Sequence, residues 1–283
     1  MVIDFHTHVF PDRIAVAAVG KLQQAGQIPA HSDGTAAGLL ASMEAAGITH
    51  SVLLPVATNP LKLASMNTSA IERLGQPRFI SFGAMHPEAP DWKQELDRLA
   101  QAGIRGIKIH PVYQGVDIDD IRFLRILSRA AELGLITVMH SGDDIGFPGI
   151  VHCSPEMTRR ALNQVGNIPL VLAHMGGWKN WERVADHLGD TGVYLDTSFS
   201  LGKISPLSPG HYSEEMLQML TPEEFCALVR AFGAERILFG TDSPWTSQTD
   251  SLEALRSLPL TSRELACIEY QNAKKLLALD AQR

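Results

Sequence analysis

Two histidines, His6 and His8, close an apolar run near the start of the chain, and four later runs end in or lead into polar residues: Lys108-Ile109-His110, His140, His174 and Asp242. Imidazole nitrogens and a carboxylate, with no thiolate among them, are the donors of a divalent-metal site. Zinc suits them first, with manganese, iron or cobalt also compatible. An ion held by three or four such groups, with one position open, brings the pKa of water toward about 7 and polarises a substrate oxygen. The three cysteines, Cys153, Cys226 and Cys267, are far apart and form no CxxC pair. They read as reduced thiols rather than ligands or a disulfide framework.

Residues so distant in sequence meet only if a regular scaffold carries them. Along a strand, positions i and i+2 share a face about 6.6 Å apart, so His6 and His8 point together while Phe5 points away. By the same alternation Gly106, Lys108 and His110 share one face, and Ile107 and Ile109 the other. Apolar runs of strand length recur at Val2–His6, Ser51–Val56, Phe79–Met85, Gly106–His110, Leu135–His140, Leu170–His174, Val193–Thr197 and Arg236–Gly240. Helical patterns with capping signals fall between them at Asp91–Ala102, Asp120–Leu133, Pro155–Val165, Trp178–Leu188, Thr221–Phe232 and Ser262–Leu279. Strands alternating with helices require crossover connections and a parallel sheet. Eight β/α units at about 35 residues each predict an α/β fold, a single (β/α)8 TIM barrel with residues 1–283 as one domain. A doubly wound open sheet is the competitor, but no GxGxxG or P-loop follows the first run. In a barrel, function gathers at the C-terminal strand ends, where these histidines, Lys108 and Asp242 fall. The irregular segment Ser198–Tyr212, rich in Pro, Gly and Ser, is expected as a loop over the barrel mouth.

Composition removes other classes. The 283 residues carry 24 Lys plus Arg against 31 Asp plus Glu, a net charge of −7, which gives no reason to expect nucleic acid or an anionic membrane as partner. A 45% hydrophobic and 19% charged chain is globular rather than disordered or collagen-like. The longest uncharged stretch, Ala45–Leu61, is interrupted by His50, Pro55, Asn59 and Pro60 and falls short of a membrane span. The N-terminus lacks the basic patch and apolar core of a secretory signal. A cytoplasmic protein with a small-molecule substrate is expected, and a homodimer is the commonest assembly for such a chain.

Four motifs carry a resemblance: His6-x-His8, Met139-His140-Ser141-Gly142, Leu172-Ala173-His174-Met175-Gly176-Gly177 and Leu238-Phe239-Gly240-Thr241-Asp242-Ser243-Pro244-Trp245. Together they resemble the amidohydrolase superfamily, in the amidohydrolase-related branch of TIM-barrel metal hydrolases and metal-dependent non-oxidative decarboxylases. The resemblance spans nearly the whole chain. It implies that His6, His8, His140 and Asp242 surround one divalent ion, that His174 orients or deprotonates water, and that Asp242 is ligand, proton shuttle or both. In binuclear members a lysine placed like Lys108 is carboxylated and bridges two ions. The alternatives for Lys108 are an ion pair with Asp4 or Asp196, or a hold on a substrate carboxylate, and the mononuclear reading is preferred. His110 lines the pocket or anchors a loop. Trp245 and Trp178 are pocket walls or loop packing, and Ser198, Tyr113 and His211 are loop contacts. His31, His50, His86, His152 and His187 read as surface or structural. The expected activity is hydrolysis of an amide, ester or lactone. Decarboxylation is the first rival, set back because the Lys108-x-His110-Pro111 element is unusual among decarboxylases of this branch. A metal-free lactonase and a non-catalytic metal-binding barrel are the others.

Overall fold

Each apolar run takes strand geometry in the computed structural model, which describes residues 1–279. The strands are β1 (Ile3–Thr7), β2 (His50–Leu53), β3 (Phe79–Ser81), β4 (Gly83–Ala84), β5 (Gly106–Ile109), β6 (Ile136–Met139), β7 (Leu170–Leu172), β8 (Tyr194–Asp196) and β9 (Ile237–Leu238). The run 79–85, expected as one strand, is divided at Phe82 into β3 and β4. The described residues group into two compact units. One holds residues 1–51, 145–147 and the chain from 197 onward; the other holds 52–144 and 148–196.

In the second unit β4, β5, β6, β7 and β8 lie side by side and parallel. Register places Lys108 opposite Ala84 on one side and Val138 on the other. All four residues of β5 are buried, as a parallel strand covered on both faces requires. Gly106 has a specific reason to be glycine. A Cβ there would stand 2.3 Å from the Phe82 ring and 2.5 Å from the Ile136 carbonyl. Helices Trp92–Gln101, Ile121–Glu132 and Pro155–Val165 form where capping signals predict them. Asp120 accepts from the Arg122 N–H, and Ser154 Oγ from the Met157 N–H. A buried polar chain fastens β4 to its neighbours. The Ala84 N–H donates to Asn67 Oδ1, Asn67 Nδ2 donates to Glu95 Oε2, and Arg98 grips Glu95 through two nitrogens.

The first unit is built around β1 and the segment that follows β9. The Phe5 N–H donates to the Phe239 carbonyl at 2.7 Å, the Asp242 N–H to the His6 carbonyl at 2.8 Å, and the His8 N–H to the Ser243 carbonyl at 2.7 Å. Helices Asp12–Gly26, Ala36–Ala46, Pro222–Phe232 and Gln248–Ser257 surround them. Segment 198–213 has neither helix nor strand, as expected. It is tied down by Tyr212, whose hydroxyl donates to the carbonyls of Gly26 and Ile145.

Two predicted helices take other forms. Trp178–Leu188 is helical only from residue 181, as a 3-10 turn Trp181–Arg183 and then Val184–Leu188, because Trp178 pairs with the 141–143 segment instead. Ser262–Leu279 is interrupted by a π-helical stretch at Cys267–Gln271. Just beyond it, Asn272 Nδ2 donates to the carbonyls of Ala234 and Ile237, both at 2.7 Å.

Candidate metal centre

The alternation of β1 puts His6 and His8 together, their ring centroids 5.1 Å apart. Asp242 reaches them from the other strand segment. His8 Nε2 lies 3.0 Å from Asp242 Oδ1, and His6 Nε2 lies 3.4 Å from the same oxygen. Asp242 holds this position with φ at 64°, a left-handed conformation that aspartate tolerates better than most residues. On its far side, His6 Nδ1 is 3.0 Å from the buried Ser198 hydroxyl. That contact fixes the ring and leaves Nε2 facing the carboxylate, as partners behind ligating histidines do.

Asp4, on the same face of β1 as His6 and His8, is fully buried. Its Oδ1 accepts the N–H groups of His6 at 3.1 Å and Thr241 at 3.0 Å. Its Oδ2 accepts the Thr241 hydroxyl at 2.6 Å and Gln248 Nε2 at 2.7 Å. Burial pushes the Asp4 carboxyl up to about 7, against the pull of these four hydrogen bonds.

The second unit carries its own polar cluster. The His110 and His140 rings stack with centroids 4.0 Å apart, and Tyr113 stacks on His110 at the same separation. Asp144 Oδ2 lies 3.5 Å from His110 Nε2 and 3.9 Å from His140 Nε2. Hydrogen bonds assign the protons. His110 Nδ1 accepts the Tyr113 N–H, so the neutral ring carries its proton on Nε2. His140 Nε2 is 3.0 Å from the Asp143 carbonyl, which can only accept, so it too is protonated there. His140 Nδ1 then accepts from His174 Nε2 at 3.0 Å. Burial first, then His110, His174 and Lys108, hold His140 well below the usual histidine range. It is therefore neutral at pH 7. The His174 backbone N–H donates to Asp196 Oδ1, and its carbonyl accepts the Trp181 indole N–H.

The family model described as amidohydrolase matches residues 3–279. The chain belongs to the amidohydrolase family. No curated protein matches it. Solved structures similar to this family member include an uncharacterised TIM-barrel protein from Bordetella bronchiseptica, 18% identical over 99% of both chains with a TM-score of 0.78. A putative 2-pyrone-4,6-dicarboxylic acid hydrolase from Pseudomonas putida is 20% identical over 99% of this chain and 98% of that one, TM-score 0.66. A dihydroxybenzoic acid decarboxylase from Polaromonas, solved with manganese and the inhibitor 2-nitroresorcinol, is 16% identical over 99% and 97%, TM-score 0.67. These likenesses show the fold: α/β with parallel strands, of the TIM-barrel type.

Among the described residues of this amidohydrolase-family chain, two trios have ligand atoms within 4.8 Å of one another: His6, His8 and Asp242, and His110, His140 and Asp144. Each offers two imidazole nitrogens beside one carboxylate oxygen. The first is the tighter, with contacts of 3.0 and 3.4 Å against 3.5 and 3.9 Å, and in both a nitrogen that faces the carboxylate must give up a proton to an incoming ion. To ligate through Nε2, His140 must exchange that proton and its bond to Asp143. Lys108 is buried, like every residue of β5. Asp196 accepts the His174 N–H, and Asp4 accepts from Thr241, Gln248 and His6. Trp245 is half-buried, its N–H on the Asp242 carbonyl, whereas Trp178 is buried in loop packing. Sequence reasoning did not find Asp144, the Asp143 carbonyl, or Ser198 as the partner of His6. Asp4 shares the parity of His6 and His8, and that signal was readable.

Proposed function

We propose that the protein is a metal-dependent hydrolase acting on the C–N or C–O carbonyl of a small carboxylated amide, ester or lactone. The observation that carries this reading is the placement of His6 Nε2 and His8 Nε2 beside one oxygen of Asp242. A divalent ion held there, zinc by donor type or manganese as in the Polaromonas structure, supplies Lewis acidity to a substrate carbonyl and to water. Asp242 is the group that accepts the proton released as water attacks. His140 as a further ligand and His174 as the residue that orients water are the roles the family resemblance assigns. Support for the substrate class comes from the Pseudomonas putida structure, whose named compound is a cyclic ester with two carboxyl groups.

Decarboxylation is the second reading, favoured by the Polaromonas structure. There the ion would hold a carboxylated aromatic acid, and a side chain would protonate carbon. Zinc- or manganese-loaded protein is to be screened against lactones, amides and hydroxybenzoic acids. Ring opening or amide cleavage without gas release is the expected result. Carbon dioxide from an aromatic acid, with no hydrolysis, would replace the hydrolase reading by the decarboxylase one. Metal uptake with no turnover of either class, unaffected by Asp242→Asn, would point to a binding protein. Full activity in metal-free protein after chelation would remove the ion from the chemistry.

A further inference from the structure

We propose that Asp4 is a positioning residue, a buried latch that sets the separation between the imidazoles of His6 and His8 and the carboxylate of Asp242. The inference rests on the metal centre proposed above. One carboxylate hydrogen-bonds the main chain of both strand segments that carry that centre, through the His6 N–H at 3.1 Å and the Thr241 N–H at 3.0 Å. Thr241 immediately precedes Asp242, so the latch acts on the peptide that enters its left-handed turn, where φ is 64°. The second oxygen is clamped by the Thr241 hydroxyl at 2.6 Å and by Gln248 Nε2 at 2.7 Å. Gln248 stands in the first turn of the helix Gln248–Ser257, so that helix braces the latch from outside the two strands.

The geometry argues for positioning rather than filling. An aliphatic side chain of similar size would pack as well, but would leave two backbone N–H groups, a hydroxyl and an amide without acceptors in a buried place. The main-chain bonds between the two segments do not fix the turn alone. They run from Phe5 to Phe239, from Asp242 to His6 and from His8 to Ser243, and the Thr241 N–H between them goes to Asp4. Releasing either oxygen lets residues 241–242 shift relative to β1, and the contacts of 3.0 and 3.4 Å from His8 and His6 to Asp242 change with them. Partners behind metal ligands of this kind typically account for 10–100-fold in metal affinity.

The test uses Gln248→Leu and Thr241→Val, which loosen the latch from its two far ends, beside Asp4→Asn. Full-length wild type and variants are checked for folding by circular dichroism. Each is then titrated with zinc in a competition assay, and crystallised without metal. Expected are folded Gln248→Leu and Thr241→Val proteins with zinc affinity 10–100-fold below wild type, and an altered His8–Asp242 separation in the crystals. Affinity within twofold of wild type and an unchanged separation in both variants would overturn the latch, even if Asp4→Asn fails to fold. If wild type itself takes up no zinc or manganese, the functional reading fails on its own. The latch is then judged by the metal-free crystals alone, where an unmoved Asp242 refutes it and a displaced one supports it.

Discussion

At the scale of single residues, the candidate centre divides into groups that face the ion's position and groups that hold them there. Asp242 belongs to the first. Replacing it by asparagine keeps the size and removes the charge, so kcat/KM is expected to fall on the order of 100-fold or more, the usual weight of a proton-accepting group. Zinc affinity, measured by calorimetry, falls with it. Ser198 belongs to the second group. Read from sequence it was a loop contact for substrate, but its hydroxyl is buried 3.0 Å from His6 Nδ1. Ser198→Ala should therefore weaken zinc binding by roughly 10–100-fold while leaving KM for substrate nearly unchanged in metal-saturated protein. A raised KM with unaltered metal affinity would return Ser198 to the substrate role.

Elements explain why some of this was readable in the sequence and some was not. Every predicted run became strand because apolar β-formers bounded by turn residues have few alternatives in a parallel sheet. The break at Phe82 was hidden, and so was the partner of the Ala84 N–H just after it, Asn67, 17 positions away in sequence. The helix Asp12–Gly26 also lacked signals. Pro11 offers no side-chain cap, and the helix ends on Gln27 with φ at 47° rather than on glycine. Ala36–Ala46 was missed as well, although Thr35 and Gly47 stand in capping positions. The strand ends His6, His8, His140 and His174 were legible from parity and register. The partners that assign their protons were not, because Ser198 and Asp143 sit in loops without periodicity.

Three predictions belong to this scale. Asn67→Ala leaves the Ala84 N–H without its acceptor and removes one of the two hydrogen bonds at Glu95 Oε2, where Arg98 remains, and should cost about 1–3 kcal/mol in denaturant unfolding. Burial alone would raise the Glu95 carboxyl, but hydrogen bonds from Arg98 and Asn67, with the Arg98 charge, bring it below its ordinary 4.5. A carboxylate depressed in the folded state stabilises the protein above its unfolded pKa. That contribution disappears as pH falls from about 4.5 through the folded value. Stability measured between pH 6 and 3 should thus fall less steeply in Glu95→Gln than in wild type. Gly142 is a third point of control. Its φ is 87°, and an added Cβ would stand 2.3 Å from both the nitrogen and the oxygen of Trp178. Gly142→Ala is expected to cost about 2–4 kcal/mol.

For the whole molecule, an ion that binds only the folded chain must raise its melting temperature in proportion to the logarithm of free metal. Differential scanning calorimetry with zinc, with manganese and with a chelator measures this directly, and no shift with either metal would speak against a resident ion. Among the described residues no helix is long and apolar enough to cross a membrane, in line with the reading of the uncharged stretch 45–61. The family match over residues 3–279 places the chain in an enzyme family.

The cysteines, set aside at the outset as ligands, acquire a different use. Cys153 is buried in one unit, with its thiol against the Gly142 carbonyl, and Cys226 is buried in the other. Burial pushes both thiols up, so neither reacts while its surroundings stay closed. Cys267, half-buried on the π-helical stretch, is the accessible one. A thiol reagent should therefore label the native protein once. The later labelling rates at Cys153 and Cys226, resolved by peptide mass spectrometry, act as two internal clocks for opening. Equal opening free energies would show that the two units unfold as one cooperative body, and unequal ones that each keeps its own time.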